Sequence, residues 1–164
     1  MIHLVEYSQN YLPVYVDLVK SLAAKRIARQ PYLLTLAAEV LRHTILNKPV
    51  VHLEYDIGRT IGYDFVVETT NADAIFYAQL VRDNVYTRFT RNGKPVPTRY
   101  VSLVLQRTPD DTYIALDLRV GHFSPPRPGS VDETARSKTY WENHALVFDK
   151  QAIQSSTLTK MCPY

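Results

Sequence analysis

Three histidines, a run of arginines and a closing serine–tryptophan–histidine segment are the residues of this 164-residue chain whose types suit chemistry. From Arg82 to Arg99 five basic residues (Arg82, Arg88, Arg91, Lys94, Arg99) face one acid, Asp83, with Tyr86 and Phe89 among them. His52 is followed by Glu54, His122 precedes the loop Ser-Pro-Pro-Arg-Pro-Gly, and Ser137, Trp141 and His144 follow in turn. Such a set suits metal-independent cleavage of RNA. That reaction takes a base for the 2′-hydroxyl proton, an acid for the departing 5′-oxygen, and cations or fixed donors for the charge building on the phosphorane. Histidine fills either proton role near neutral pH, and arginine grips phosphate through two parallel N–H bonds. Tyrosine and tryptophan stack on unpaired bases.

Residue by residue, the catalytic candidates are His144, Arg82, Arg88, Ser137 and His52. His144 follows Trp141 at i+3, so both reach one side of a turn; the competing reading is a histidine packed at a helix end and bonded to a backbone carbonyl. His52 shares a face with Glu54, which suits either proton transfer or the wet side of a sheet. Arg88 alternates with Tyr86 and Thr90, whereas Arg91 points with Phe89; the same charges also suit a solubilising edge strand. Ser137 donates to phosphate or caps a short helix. Tyr86, Arg91, His122, Arg127 and Trp141 complete the expected substrate contacts, with His122 and Arg127 in or beside the proline-rich loop, where ligands are often met.

Several signatures are missing: a Gly-rich phosphate loop, a dinucleotide fingerprint, a pair of zinc-peptidase histidines and a nucleophile elbow. The five histidines are scattered without a spaced third ligand, so neither a metal nor another cofactor is expected. One cysteine, Cys162, excludes a disulfide framework. The apolar share is 46%, charged residues are 21% and net charge is +3, which suits an ordinary globular protein with an anionic partner. The first residues have neither the basic start nor the apolar run of a signal peptide, and no stretch has the length of a membrane span. A soluble cytoplasmic protein is expected, with no membrane partner.

The elements that must position these residues begin with two helices. Pro13 suits a first turn, followed by Val16, Val19, Leu22, Ala23 and Ile27 at helical spacing. Pro31 opens a second, with Leu33, Leu34, Ala37, Val40, Leu41 and Ile45 as its stripe. After Asn47-Lys48-Pro49 the period changes to alternation, and six strand-like runs follow between Val50 and Val120. Asn92-Gly93 and Thr108-Pro109-Asp110-Asp111 are turn signals, so an antiparallel meander is the simplest arrangement. Ser137 to Asn143 suits a helical turn or two, and Ala145 to Phe148 a final strand. The expectation is an α+β fold, an N-terminal helical pair packed on a twisted antiparallel sheet. It would form a single domain over residues 1–164, with helices in 1–48, sheet in 49–150 and a polar tail in 151–164.

Paired helices ahead of a twisted sheet resemble the architecture of the barnase, EndoU, colicin-nuclease and RelE group of ribonucleases, many of them bacterial toxins. The aromatic-basic strand, the hairpin, the Pro-Pro-Arg-Pro-Gly loop and Ser-x-x-x-Trp-x-x-His-Ala-Leu also resemble a pattern in small toxin-like proteins, over roughly residues 62–148. The resemblance implies a metal-independent endoribonuclease that acts by 2′-hydroxyl attack on the adjacent phosphate. It points to Arg82, Arg88, Ser137 and His144, and to RNA and an acidic antitoxin or immunity protein as partners. The alternative is a non-catalytic module that binds RNA or protein through the same basic and aromatic face.

Overall fold

A computed structural model describes residues 2–5, 14–17, 30–44 and 46–164. By its internal contacts the chain divides into two compact units, Met1–Gly62 with Pro97–Phe123 and Tyr63–Val96 with Ser124–Tyr164.

The first unit holds a five-stranded sheet and one described helix. Its strands are β1 (Ile2–Val5), β2 (Val14–Asp17), β3 (Val50–Asp56), β9 (Tyr100–Arg107) and β10 (Tyr113–Val120), in spatial order β1-β2-β10-β9-β3. The expected N-terminal helical pair on an antiparallel sheet does not form. Val14–Asp17, inside the first expected helix, is a strand antiparallel to β1 and parallel to β10. The rest of that expected helix lies outside the described residues. Val14, Tyr15 and Val16 are β-branched and aromatic, types that fit a pleated surface. A short apolar run of this kind satisfies either period, so the pairing offered by β10 decides it.

The second expected helix forms as α1 (Tyr32–Leu41). Leu33, Leu36, Ala37, Val40 and Leu41 recur at i, i+3, i+4, i+7 and i+8, and that stripe is buried. They share a core with Leu103, Leu105, Tyr113 and Leu118 of the sheet. Thr44 closes the helix by donating from Oγ1 to the Val40 carbonyl, 2.8 Å away. Tyr113, 2% exposed, keeps its hydroxyl satisfied on the Lys48 carbonyl at 2.7 Å. The Thr108–Asp111 turn joins β9 to β10, with Asp111 at φ 64° and Thr108 N–H bonded to the Thr112 carbonyl. One bulge falls between Ala115 and Asp117, which keeps Leu118 in the core and sends Asp117 and Arg119 to the other face.

The second unit is built on a four-stranded sheet in the order β5-β11-β7-β6. Its strands are β5 (Val66–Glu68), β6 (Ile75–Gln79), β7 (Tyr86–Thr90) and β11 (His144–Val147); α2 (Ser137–Asn143) runs directly into β11. Two further short strands, β4 (Gly62–Asp64) and β8 (Val96–Thr98), lie where the chain leaves one unit for the other. A continuous meander is not formed here either, because β11 enters beside β7 in parallel register. Asn92-Gly93 therefore ends β7 without a hairpin. Gly93 N–H donates to Thr90 Oγ1 (3.0 Å) and Asn92 Oδ1 accepts Ala74 N–H (2.9 Å), tying the turn to its own sheet.

Phe76, Ala78, Leu80, Phe89 and Ile153 form the buried centre of this unit. Ile153 belongs to the stretch expected as a polar tail. That stretch pairs with the outer edge of β6: Tyr77 and Thr159 exchange both backbone bonds at 2.7 and 2.8 Å. The segment thus covers an edge that would otherwise present unpaired N–H and C=O groups. Among the described residues no helix is long and apolar enough to cross a membrane.

Candidate functional site

Alternation along the first unit's sheet sends Val51, Leu53, Leu103, Leu105 and Leu118 toward α1. The same alternation sends polar residues to the opposite face. Register places Glu54 opposite Ser102 and Ser102 opposite Arg119, and in the next row His52 opposite Val104 and Val104 opposite Asp117. Three strands therefore carry one imidazole, two carboxylates, a buried hydroxyl and a guanidinium on one sheet face.

The chain leaving β10 completes the group. Gly121 N–H bonds back to the Tyr100 carbonyl, and Ser102 Oγ donates to the Gly121 carbonyl at 2.5 Å. With Gly121 at φ 106°, a conformation that favours glycine, the chain turns so that His122 and Phe123 meet Glu54. Glu54 Oε1 accepts Phe123 N–H at 2.6 Å, and Oε2 lies 3.3 Å from His122 Nδ1. A carboxylate only accepts, so a hydrogen bond here takes its proton from His122 Nδ1. The imidazole is tilted against the Tyr100 ring, centroids 4.3 Å apart, and its side chain is 49% exposed. His52, two residues from Glu54, meets the Phe123 ring edge-on at 5.9 Å. Arg119 donates from Nε and Nη2 to Asp117 Oδ2, using two of the five N–H groups of a guanidinium.

Chemically this face offers a histidine oriented by a carboxylate, a second imidazole beyond one aromatic ring, and a fixed cation two strands away from that carboxylate. Of the candidates read from sequence, His52 and His122 are brought together here. Glu54 joins them through its alternation with His52. Arg119 and Tyr100 were missed, although the Asp117-x-Arg119 alternation in an otherwise apolar run was a signal for Arg119.

The remaining candidates lie in the second unit. Arg88 is opposite Tyr77, and Phe89 is opposite both Phe76 and Leu146. His144 alternates with Leu146 and so leaves the sheet on the Phe89 face, whereas Arg88 leaves on the other. The expected meeting of the Arg88 and His144 side chains therefore does not occur. Arg88 Nη1 instead donates to Thr69 Oγ1 (2.7 Å) and to the backbone carbonyl of His144 (3.1 Å). His144 takes the competing arrangement, a histidine at a helix end. Its Nδ1 is 2.8 Å from the Tyr140 carbonyl, its ring stacks on Tyr140 at 3.8 Å, and its Nε2 is 4.0 Å from Glu68.

Ser137 is fully buried and its Oγ accepts Thr134 N–H at 3.0 Å, holding the start of α2. Trp141 is 3% exposed, with Nε1–H bonded to the Pro125 carbonyl, so its ring is packed inside rather than offered to a base. Arg127 donates to Thr87 Oγ1 at 3.0 Å and pairs with Asp83. Burial alone would raise the Asp83 pKa, yet the Arg127 hydrogen bond and the Val85 N–H bring it below the usual carboxylate value. Arg91 lies over the Phe76 and Phe148 rings at 4.7 and 5.1 Å. Tyr86 is half-buried, and Arg82 stands 70% exposed, its Nε 3.5 Å from Asp83. Tyr77, near Arg88, has its hydroxyl pKa raised, by burial first and by Cys162 second.

Among the described residues no three His, Cys, Asp or Glu side chains gather as a metal-binding group. Compared with known proteins, the chain matches no family model, and no curated protein or solved structure is significantly similar to it.

Proposed function

We propose that this chain is a metal-independent endoribonuclease whose proton-transfer residues are His122 and His52 of the first unit, in place of His144. One observation carries the reading: Glu54 holds the Nδ1 side of an exposed imidazole while His52 stands on the same sheet face. His122 Nε2 takes the 2′-hydroxyl proton, and the alkoxide attacks the adjacent phosphorus. His52 protonates the departing 5′-oxygen, leaving a 2′,3′-cyclic phosphate and a 5′-hydroxyl. Arg119, with Asp117 fixing one side of its guanidinium, presents its other N–H groups to the phosphorane oxygens. Tyr100 and Phe123 are the rings on which unpaired bases stack. Such a protein acts in the cytoplasm on cellular RNA, and an acidic antitoxin or immunity protein would neutralise it.

The test is incubation of the purified chain with RNA in excess chelator. Fragments ending in cyclic phosphate are expected, with the rate falling about 10²–10⁴-fold in His122→Ala and less in Glu54→Gln. No cleavage, or equal cleavage by wild type and His122→Ala, rejects the assignment. A second reading, a non-catalytic module binding RNA or protein, is favoured by the intramolecular bonds that Arg88, Arg119 and Arg127 already make. It expects a salt-sensitive mobility shift and no fragments.

A further inference from the structure

A cavity of about 450 Å³ lies wholly within the second unit, well inside the size range of small-ligand sites. Phe89 and Leu146 line it together with Phe65, which is 56% exposed. Val81, also on its wall, is 59% exposed. Large apolar side chains left in water at one place mark a surface that something covers. Three polar side chains interrupt this lining: Arg82, Asp149 and Gln151.

Their chemistry narrows the occupant. The Arg82 guanidinium is solvent-side, with Asp83 at 3.5 Å as a loose partner, so it can take an anion at the rim. Asp149 is held by Gln151 N–H at 3.0 Å and only accepts hydrogen bonds. The Gln151 amide both donates and accepts. An acyl chain would use the apolar wall and set its carboxylate on Arg82, but it would leave Asp149 and Gln151 without partners. A ligand with a flat apolar body, an amino group at one edge and an anion at the other uses all three polar groups.

We propose that this cavity binds one nucleotide, its base against the exposed Phe65 and Val81, its amino edge on Asp149 and Gln151, and its phosphate on Arg82. The choice of a nucleotide rests on the RNA-cleaving reading; the cavity itself does not. Bases bearing an exocyclic amine are preferred over uracil, whose single N3–H donor is flanked by two carbonyl oxygens that would face the carboxylate. The nucleotide is either free or one unit of an RNA strand, and the shared chemistry is a base and a phosphate.

Titration calorimetry of the full chain tests this with AMP, UMP, adenosine and inorganic phosphate, and with oligo(A) and oligo(U). AMP should bind more tightly than UMP, adenosine or phosphate. Arg82→Ala should weaken AMP about tenfold, the scale of one charge-assisted hydrogen bond, and Phe65→Ala should weaken it comparably. Both side chains are exposed, so unchanged thermal melting shows that the variants fold. Oligo(A) binding that loses its advantage over oligo(U) in Arg82→Ala identifies an RNA subsite; AMP binding without that loss identifies a free-nucleotide site. Absence of AMP binding, or binding indifferent to Arg82→Ala and Phe65→Ala, overturns the inference. RNA cleavage without AMP binding removes this inference alone, whereas AMP binding without cleavage removes the nuclease reading and leaves the nucleotide site.

Discussion

Asp83 and Arg127 show what a charge can do once a fold has chosen its partner. Burial works against the Asp83 carboxylate, but hydrogen bonds from Arg127 and the Val85 N–H outweigh it, so the folded-state pKa is lowered. A depressed carboxyl contributes stability above its unfolded value, about 3.9, and loses that contribution as pH falls through the folded value. Asp83→Asn should therefore be less stable than wild type at pH 7, with the gap closing on acidification below about pH 4. Urea unfolding at both pH values checks it; a gap that stays constant would mean the pair acts through shape rather than charge. Arg88 belongs at this scale too. Read from its strand alternation it was a phosphate clamp, but its guanidinium bridges Thr69 and the His144 carbonyl, contacts that no local pattern announces.

Among the elements, the end of β7 depends on a position with no room for a side chain. A Cβ at Gly93 would stand 2.4 Å from Cγ2 of Thr90, which is fully buried. Gly93→Ala should destabilise the protein by about 1–3 kcal/mol through overpacking. Adding Thr90→Ser, which removes the opposing methyl, should recover part of that loss. Denaturation of the two single variants and the double variant measures the coupling, and additive losses would disprove the clash. The Asn92-Gly93 pair was legible as a turn, since its residues favour left-handed or tight backbone. Which strand lies beside β7 was not legible, because β11 arrives there from more than fifty positions away in sequence. For α1 the stripe of leucines and alanine was enough: its period admits one buried face. Val14–Asp17 was misread because four residues are too few to separate a helical period from alternation.

At the scale of the whole molecule, each unit is assembled from two separated pieces of chain. Residues 1–62 contribute β3 and α1 to the first unit, while β9 and β10, which fill its centre, come from Pro97–Phe123. A fragment ending at residue 96 would leave α1 and β3 without β9 and β10, the strands they pack on. Such a fragment should lack dispersed amide signals and a cooperative thermal transition, whereas the full chain should show both. A folded fragment would show that β3 and α1 have a partner other than β9.

What the sequence determined by itself is local: where strands and turns fall, that Leu33 to Leu41 is an amphipathic helix, that His52 and Glu54 share a face. Those follow from side-chain size and from periods of 2.0 and 3.6 residues, which nearby residues suffice to set. Tertiary structure alone decided the partners. It brought His122 to Glu54 across 68 positions, set Arg88 and His144 on opposite faces, buried Trp141 and Ser137, and turned a polar tail into the cover of β6. Each is a contact distant in sequence, and it forms only when strand register and packing bring the two segments side by side.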